Sequence, residues 1–348
     1  MTCNEGTVKS GPIYLRRLVG ENEKRPIEPC TDFWRCPDIE IQGGIDAGTA
    51  KAPSTAGTTI DNYIQVTVRN AGTKTIENVE VQVWVCDYGV GIGPKGGIPS
   101  AGGPAGLGPR LLGDIASGAS ASAKLRWRVT HDDAIRNPDG HHCIIANAYG
   151  TAPDDNGLEI SVTPPFTKDV IFICCDSHHG WRNINAKVAS GMLIAQGEGE
   201  FVFPLLVGNP TVNDLEGILT VTQVQQGGFG PTEREHLLSG GHVEWTHPDQ
   251  DPKCTRLVLG GDADLPPDQQ VIVSGTDRPM LDLGLDGDLG SGSEVKFALR
   301  PDDVMPMRVL GRFDPKTQPG EVFIFDVVQR DSNGEVLSGA RMLATVVR

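Results

Sequence analysis

Ile60-Asp61-Asn62-Tyr63-Ile64-Gln65-Val66-Thr67-Val68-Arg69-Asn70, followed by Ala71-Gly72-Thr73, decides the fold. Ile64, Val66 and Val68 fall on one side of an extended chain and Gln65, Thr67 and Arg69 on the other, because successive strand side chains point to opposite faces. Such alternation marks a half-buried strand, and Asn-Ala-Gly-Thr ends it in a turn. Outward from there the grammar repeats. Val79 to Val85 alternates with its valines inward, which sends Trp84 outward. Leu125, Trp127 and Val129 give another strand, and Cys143 to Tyr149 one more. Upstream, Pro37 to Ile41 forms a short first strand, and residues 1–36 lack periodicity and read as an irregular arm. Strands at this spacing, with Gly, Asn and Pro turns and no 3.6-residue period, predict an all-β fold, an antiparallel β-sandwich.

The second half follows the same pattern. Phe201 to Val207 leads into Gly208-Asn209-Pro210, and strands follow at Ile218–Val224, Val271–Val273 and Val295–Leu299. Val322–Gln329 and Glu335–Val347 flank Asp331-Ser332-Asn333-Gly334, a hairpin turn. Asn70 aligns on Asn209, an offset of 139 residues by their numbers. That is too long for a solenoid repeat and suits two tandem sandwiches. The expected organisation is an arm over 1–36, a sandwich over 37–177 carrying a Gly-rich loop at 89–108, and a second, more acidic sandwich over 178–348.

The 348 residues include 30 basic and 45 acidic side chains, a net charge of −15. A balance this acidic argues against nucleic acid as partner, since neutralising phosphates needs clustered Lys and Arg. The charge is uneven: residues 1–175 hold 16 basic and 20 acidic side chains, net −4, and residues 176–348 hold 14 and 25, net −11. Glycine (44) and proline (25) make up about a fifth of the chain, which disfavours long helices and stays below the composition of disorder. No run of ~18 apolar residues exists to span a membrane. The N-terminal stretch lacks the apolar core of a signal peptide, so synthesis in the cytoplasm with reduced thiols is expected, a Cys30–Cys36 staple being the alternative. Cys174 and Cys175, read as neighbours on a strand, point apart and are not expected to pair.

Cys36-Pro37-Asp38-Ile39, the strand ending Val66-Thr67-Val68-Arg69-Asn70-Ala71-Gly72, the Val79–Val85 strand, Leu125-Arg126-Trp127 and His142-Cys143-Ile144-Ile145-Ala146 together resemble the CARDB type of immunoglobulin-like module, a bacterial class associated with cell adhesion. The resemblance covers roughly residues 37–150 and implies a spacer, adhesive or structural role. The second half looks generically immunoglobulin-like. Related modules are commonly exported, and in a chain without an export signal this points to release by another route, as with phage-like particles.

Chemistry-bearing motifs are few. Gly91-Ile92-Gly93-Pro94-Lys95-Gly96 matches G-x-G-x-x-G, but the sequence that follows cannot open the helix that would hold a pyrophosphate. The loop is instead a surface loop or an arm that orders against a neighbouring chain, with Gly91, Gly93, Lys95 and Gly96 as its candidate contacts. The histidines His141-His142, His178-His179, His236, His242 and His247 lack metal-ligand spacing and read as hydrogen-bonding groups. Asp282, Asp286 and Asp288 are weak calcium candidates in a segment read as a solvated acidic loop, since the EF-hand order is not met. Ser239 near His242 lacks a G-x-S-x-G context, and the adjacent pairs Asp132-Asp133 and Asp302-Asp303 do not suit a shared scissile bond. Trp84 is the candidate interaction aromatic, for subunit packing or for stacking on a sugar. The sequence thus predicts a non-catalytic structural or interaction protein without cofactor, working through a protein partner or self-assembly, with carbohydrate binding as the alternative and a hydrolase behind both.

Overall fold

A computed structural model of the chain describes residues 10–18, 20–27, 33–42, 50–91, 106–136, 142–150, 174–190, 200–209, 211, 213–228, 254–261, 292–301, 303–313 and 321–347. Among the described residues strands dominate, with one six-residue helix. The chain divides into two units, Met1–Asp87 with Ile92–Asn183, and Tyr88–Gly91 with Ile184–Arg348.

The first unit holds β1 (Ile13–Tyr14), β2 (Ile39–Gln42), β3 (Thr59–Asn70) and β4 (Ile76–Asp87). After β5 (Gly89–Val90), which belongs to the second unit, come β6 (Leu107–Ile115), β7 (Ser120–Thr130), the helix α1 (His131–Arg136), β8 (His142–Tyr149) and β9 (His179–Arg182). In one sheet β3 is central. β7 lies along one edge from Thr59↔Thr130 to Arg69↔Ser120, and β2 and β1 pair with successive stretches of β3. The other sheet runs β6-β4-β8-β9. Ile64, Val66, Val68, Val79, Val81, Val83, Leu125, Trp127, Val129, Ile144 and Ala146 meet in a common core. These are the side chains that alternation assigns inward, and each large aliphatic among them contributes ~1.5–3 kcal/mol through burial.

The described residues of 10–36 are not a free arm but pack into the first unit. Ile13 pairs with Asn70, and Ile13 and Leu15 are core residues. Leu15 N–H donates to the Ser177 carbonyl, Ile27 N–H to that of Cys174, and Cys36 N–H to that of Trp181. Asp38 accepts from the Arg16 backbone N–H at 2.9 Å, from Arg16 Nη2 at 2.5 Å and from Arg69 Nη2 at 3.1 Å. The segment is built by distant partners rather than by a local pattern, so it carries no period. Those partners also keep residues 178–183 in the first unit: Asn183 N–H donates to Trp34 and Ala148 N–H to His178. The division falls at Asn183/Ile184 instead of 177/178.

The expectation of reduced thiols needs correction. Cys174 and Cys175 are disulfide-bonded. They sit in a turn rather than on the strand expected there. Cys36 is a free, buried thiol, which excludes a Cys30–Cys36 staple, and burial pushes its pKa well above the ordinary value.

The second unit adds β10 (Ile184–Ser190), β11 (Glu200–Gly208), β12 (Leu215–Gly228), β13 (Cys254–Gly261), β14 (Gly292–Leu299), β15 (Val304–Phe313), β16 (Glu321–Asp331) and β17 (Val336–Val347). Its sheets run β10-β17-β16-β12-β14 and β13-β15-β11-β5. Two pairs, β10 with β17 and β5 with β11, are parallel; the others are antiparallel. Phe203, Leu205, Val207, Leu219, Val221, Phe297, Val309, Phe323, Phe325 and Met342 are buried. The Asp331–Gly334 hairpin closes with Asp331 Oδ1 accepting from the N–H groups of Asn333 and Glu335.

The two aligned asparagines do the same work in each unit. Asn70 Nδ2 donates to Lys74 C=O, four residues on, and to Ile115 C=O, while its Oδ1 accepts from Gly72 N–H, two residues on. Asn209 Nδ2 donates to Asn213 C=O and Leu299 C=O, and its Oδ1 accepts from Thr211 N–H. An amide is required, because the same side chain must donate twice and accept once. Asn70→Ala and Asn209→Ala are each expected to cost about 2 kcal/mol, from unsatisfied buried backbone groups. Tryptophan fluorescence, which reports mainly on the first unit through Trp34, Trp84, Trp127 and Trp181, should register Asn70→Ala as a lowered denaturant midpoint and Asn209→Ala hardly at all.

Candidate functional site

Trp84 is buried, not an outward platform. Both faces of β4 are covered from Val81 to Cys86, and β8 is buried from His142 to Ala148. Trp84, Ile145 and Trp181 form one row across β4, β8 and β9. Phe33 packs edge-on against Trp181 at 5.8 Å, Trp181 Nε1 donates to Cys143 Sγ, and a Cβ on Gly106 would come within 3.0 Å of Trp84 Nε1. The apolar runs Val83-Trp84-Val85-Cys86 and Cys143-Ile144-Ile145-Ala146 were the signal, since strands buried on both faces lose their alternation.

The Gly-rich loop is not one surface loop from 89 to 108. Gly89 and Val90 form β5, in register with Leu206 and Val207 of β11, and Leu206 N–H donates to Tyr88 C=O. Gly91 has φ 69°, and a Cβ there would lie 2.3 Å from Gly208 O and 2.5 Å from Gln329 Oε1. Gly91 is therefore a packing residue of the second unit. At the far end, Leu107 begins β6. Gly93, Lys95 and Gly96 lie outside the described residues, as do Asp282, Asp286, Asp288, His141, His236, Ser239, His242, His247 and Asp302.

The remaining candidates serve the fold. His142 packs edge-on against Trp127 at 4.5 Å. Asp133 accepts from the Thr130 N–H and hydroxyl at the start of α1. Asp303 accepts from Arg300 N–H. Among the described residues no three His, Cys, Asp or Glu side chains are placed to share a metal ion. No described helix is long and apolar enough to cross a membrane.

A buried polar seam runs through residues 176–183 of the first unit. His178 Nδ1 lies 2.5 Å from Asp176 Oδ1, and His178 N–H donates to the same oxygen. Ser177 Oγ donates to Ile13 C=O and accepts from Gly11 N–H. Burial alone would push the Asp176 carboxyl up; the hydrogen bonds from His178 and the neighbouring His179 and His178 rings outweigh it and hold the carboxyl below the usual range. A carboxyl depressed in the fold stabilises above its unfolded pKa of ~3.9, and that stability drains away as pH falls through the folded value. The first unit should lose stability below about pH 4. Asp176→Asn should be less stable at neutral pH and show a shallower acid slope in fluorescence-monitored unfolding.

The open chemistry lies on the outer face of the β3–β7 sheet. Tyr63 is 42% exposed, an exception that it shares, among large hydrophobic side chains of the described residues, with Leu111 and Ile135. It stands directly opposite Arg126, with Asp61 opposite Arg128 and Gln65 opposite Lys124. Arg126 Nη2 donates to Asp61 Oδ2 at 2.5 Å and Arg128 Nε to Asp61 Oδ1 at 3.3 Å, while both arginines stay about half exposed. The hydrogen bond from Arg126, joined by that from Arg128, holds the Asp61 carboxyl below its ordinary range. Gln42 Nε2 donates to Gln65 Oε1, and the Thr67 and Ser122 hydroxyls meet at 2.8 Å. Amides, hydroxyls and guanidinium groups pinned across neighbouring strands share this face with the exposed Tyr63 ring. The β3 alternation already placed Gln65, Thr67 and Arg69 outward. The pairing that sets Tyr63 beside Arg126 is tertiary and had no local signal.

No family model matches the chain, and no curated protein matches it significantly. Among solved structures, a red sea bream transglutaminase is 11% identical with a TM-score of 0.20, and the chain covers 31% of its length, less than a third. The collagen adhesin CNA of S. aureus is 7% identical over 89% of this chain and 91% of that one, with a TM-score of 0.24. The CupB6 tip adhesin of Pseudomonas aeruginosa is 10% identical over 89% and 99%, with a TM-score of 0.20. Scores this low say nothing of ligand, partner or activity.

Proposed function

We propose that the chain is a non-catalytic interaction protein of bacterial or phage-like origin, a CARDB-like adhesive or assembly component that works through the outer face of the β3–β7 sheet. One observation carries this reading: Tyr63 is exposed on the sheet beside Arg126 and Arg128, which are also exposed and are both held by Asp61. Tyr and Arg are the side chains that dominate protein interfaces, because they bury large area and recognise carboxylates. Other polar groups of this unit, among them Asp38, Asn70 and Asp176 with His178, are engaged inside the fold. Disulfide bonding of Cys174 and Cys175 supports an oxidising destination, such as a released particle or a cell surface, over a reducing cytoplasm. Multi-angle light scattering tests the reading. It expects a mass that is a multiple of the monomer; a strict monomer at every concentration contradicts assembly by self-association.

A second reading is favoured by Tyr63 itself. An exposed ring flanked by Gln42, Gln65 and Asp61 also suits stacking on a pyranose with hydrogen bonds to its hydroxyls. A glycan array probed with the wild type and with Tyr63→Ala decides it: binding lost in the variant supports the sugar, and absence of any binding removes it.

A further inference from the structure

We infer that the open edge of β7 takes up an extended strand of an acidic protein partner, one with carboxylates at alternate positions along that strand. The inference rests on the interaction reading above and names the partner's chemistry and the way it docks. β7 pairs with β3 along one side, and among the described residues no strand pairs with the other. Its sequence, Ser120 to Thr130, holds no proline or glycine, and its pairing with β3 runs without a register shift. An edge of this kind is a template for a further strand.

The direction of its backbone groups follows from β3. Thr67 N–H donates to the Asp38 carbonyl on the β2 side, and Asn70 N–H to the Ala119 carbonyl on the β7 side. These directions alternate along a strand, so the β3 residues bonded to β7 are Asn62, Ile64, Val66 and Val68, opposite Trp127, Leu125, Ala123 and Ala121. Ser122, Lys124, Arg126 and Arg128 therefore turn their N–H and C=O groups to the open edge. The same four side chains are exposed on the outer face. An incoming strand that bonds to them sets every second side chain on that face, beside Lys124, Arg126 and Arg128. Asp61 offsets one of the three charges, and an excess of cations remains. Carboxylates at those positions complete opposite-charge cross-strand pairs. The intervening side chains turn inward, beside Ala123, Leu125 and Val129 of the core, and are apolar. A second copy of β7 is a poor occupant, because antiparallel pairing over the whole strand sets Lys124 against Arg126. Lysine on an edge is a device against such self-pairing.

The probe is a labelled peptide of about nine residues alternating Glu and Val, long enough to follow most of the edge. Binding is read by fluorescence anisotropy at ~0.15 M salt, where a Debye length of about 8 Å screens the chain's net charge of −15. The wild type should bind this peptide at least about tenfold more tightly than one alternating Lys and Val. Methylating the backbone nitrogen of every second residue blocks one edge of the peptide. Of two such forms, one methylated on its Glu and one on its Val residues, one should bind within about threefold of the parent and the other at least about tenfold more weakly, since main-chain bonds supply the affinity of an added strand. A triple variant, Lys124→Glu, Arg126→Glu and Arg128→Glu, should reverse the preference between the Glu and Lys peptides. A control variant, Lys24→Glu, Lys51→Glu and Lys74→Glu, changes net charge equally at exposed lysines and should keep the wild-type preference. Far-ultraviolet circular dichroism must show both variants folded; if the triple variant unfolds, Lys124→Glu alone replaces it, with a smaller loss of Glu-peptide affinity expected. The methylated peptides need only the wild type. A wild type with no preference for the Glu peptide overturns this inference, while the interaction reading still answers to light scattering. Equal binding of the two methylated forms, with the preference reversed in the triple variant, overturns the edge and leaves the outer face as the working surface.

Discussion

Gly91→Val should unfold the second unit at a much lower temperature than the wild type while leaving the first unit nearly unchanged. Gly91 has φ 69°, a conformation that a β-branched side chain adopts only under strain. Its Cβ would also meet the Gly208 carbonyl oxygen at 2.3 Å, and that oxygen already accepts from Gln329 Nε2 at 2.7 Å. Backbone strain of ~1–3 kcal/mol and overpacking of similar size add to roughly 3–4 kcal/mol. In a unit of this size that lowers the melting midpoint by about 6–16 °C. Gly118→Ala is the matched control: its φ is 71°, and a Cβ there meets nothing within 4 Å. It should cost only ~1 kcal/mol, the strain alone. Differential scanning calorimetry separates the two. An unchanged profile for Gly91→Val would mean that β5 is not part of the second unit.

The second large effect is expected at Asp38. Asp38→Ala removes the acceptor for the Arg16 backbone N–H, the Arg16 guanidinium and Arg69 Nη2. The carboxylate is buried, while Arg16 and Arg69 are 21% and 29% exposed. Breaking a fully buried pair costs ~3–5 kcal/mol, and partial solvation of the arginines lowers this to about 2–4 kcal/mol. The change should also release the N-terminal segment. Trypsin should then cut after Arg16 or Arg17 faster than in the wild type, because opening the segment exposes their peptide bonds. Asp38→Asn keeps one acceptor and should fall between the two. Equal cleavage rates in all three proteins would contradict the role of Asp38 as the anchor of residues 10–36.

What the sequence revealed and what it hid divide along physical lines. The strands β3, β4, β7 and β8 were legible because alternation or apolar runs are local patterns. Asn70 and Asn209 were legible as a repeat, though their double donation was not, because Ile115 and Leu299 lie 45 and 90 residues away. β5 was hidden because two residues, Gly89 and Val90, hold no pattern, and their partner β11 begins more than a hundred residues later. Trp84 was assigned outward by a rule that holds for a sheet with one solvated face. It failed where the second face is covered as well. The candidate face was half legible: the outward residues of β3 and β7 follow from alternation on each strand, but Asp61 between Arg126 and Arg128 needed the pairing of two strands whose contacting residues lie 65 apart in sequence.

Edge management in the second unit fits the same logic. Leu206 points its N–H at β5, so Pro204, two residues earlier, lies on the same edge of β11 with no N–H to offer. Proline is tolerated at such positions and discourages further strand addition. Strand addition along this edge of the sheet is thereby disfavoured.

Side-chain footprinting tests the central claim most directly, that this is an interaction protein whose working surface is the outer β3–β7 face. Arginine- and lysine-directed labelling, read by mass spectrometry, would compare the assembled protein with the salt-dissociated monomer. Lys124, Arg126 and Arg128 should lose most of their reactivity on assembly while the exposed Lys51 and Lys74 keep theirs. Reactivity of the three that stays unchanged as the particle mass rises would contradict the account.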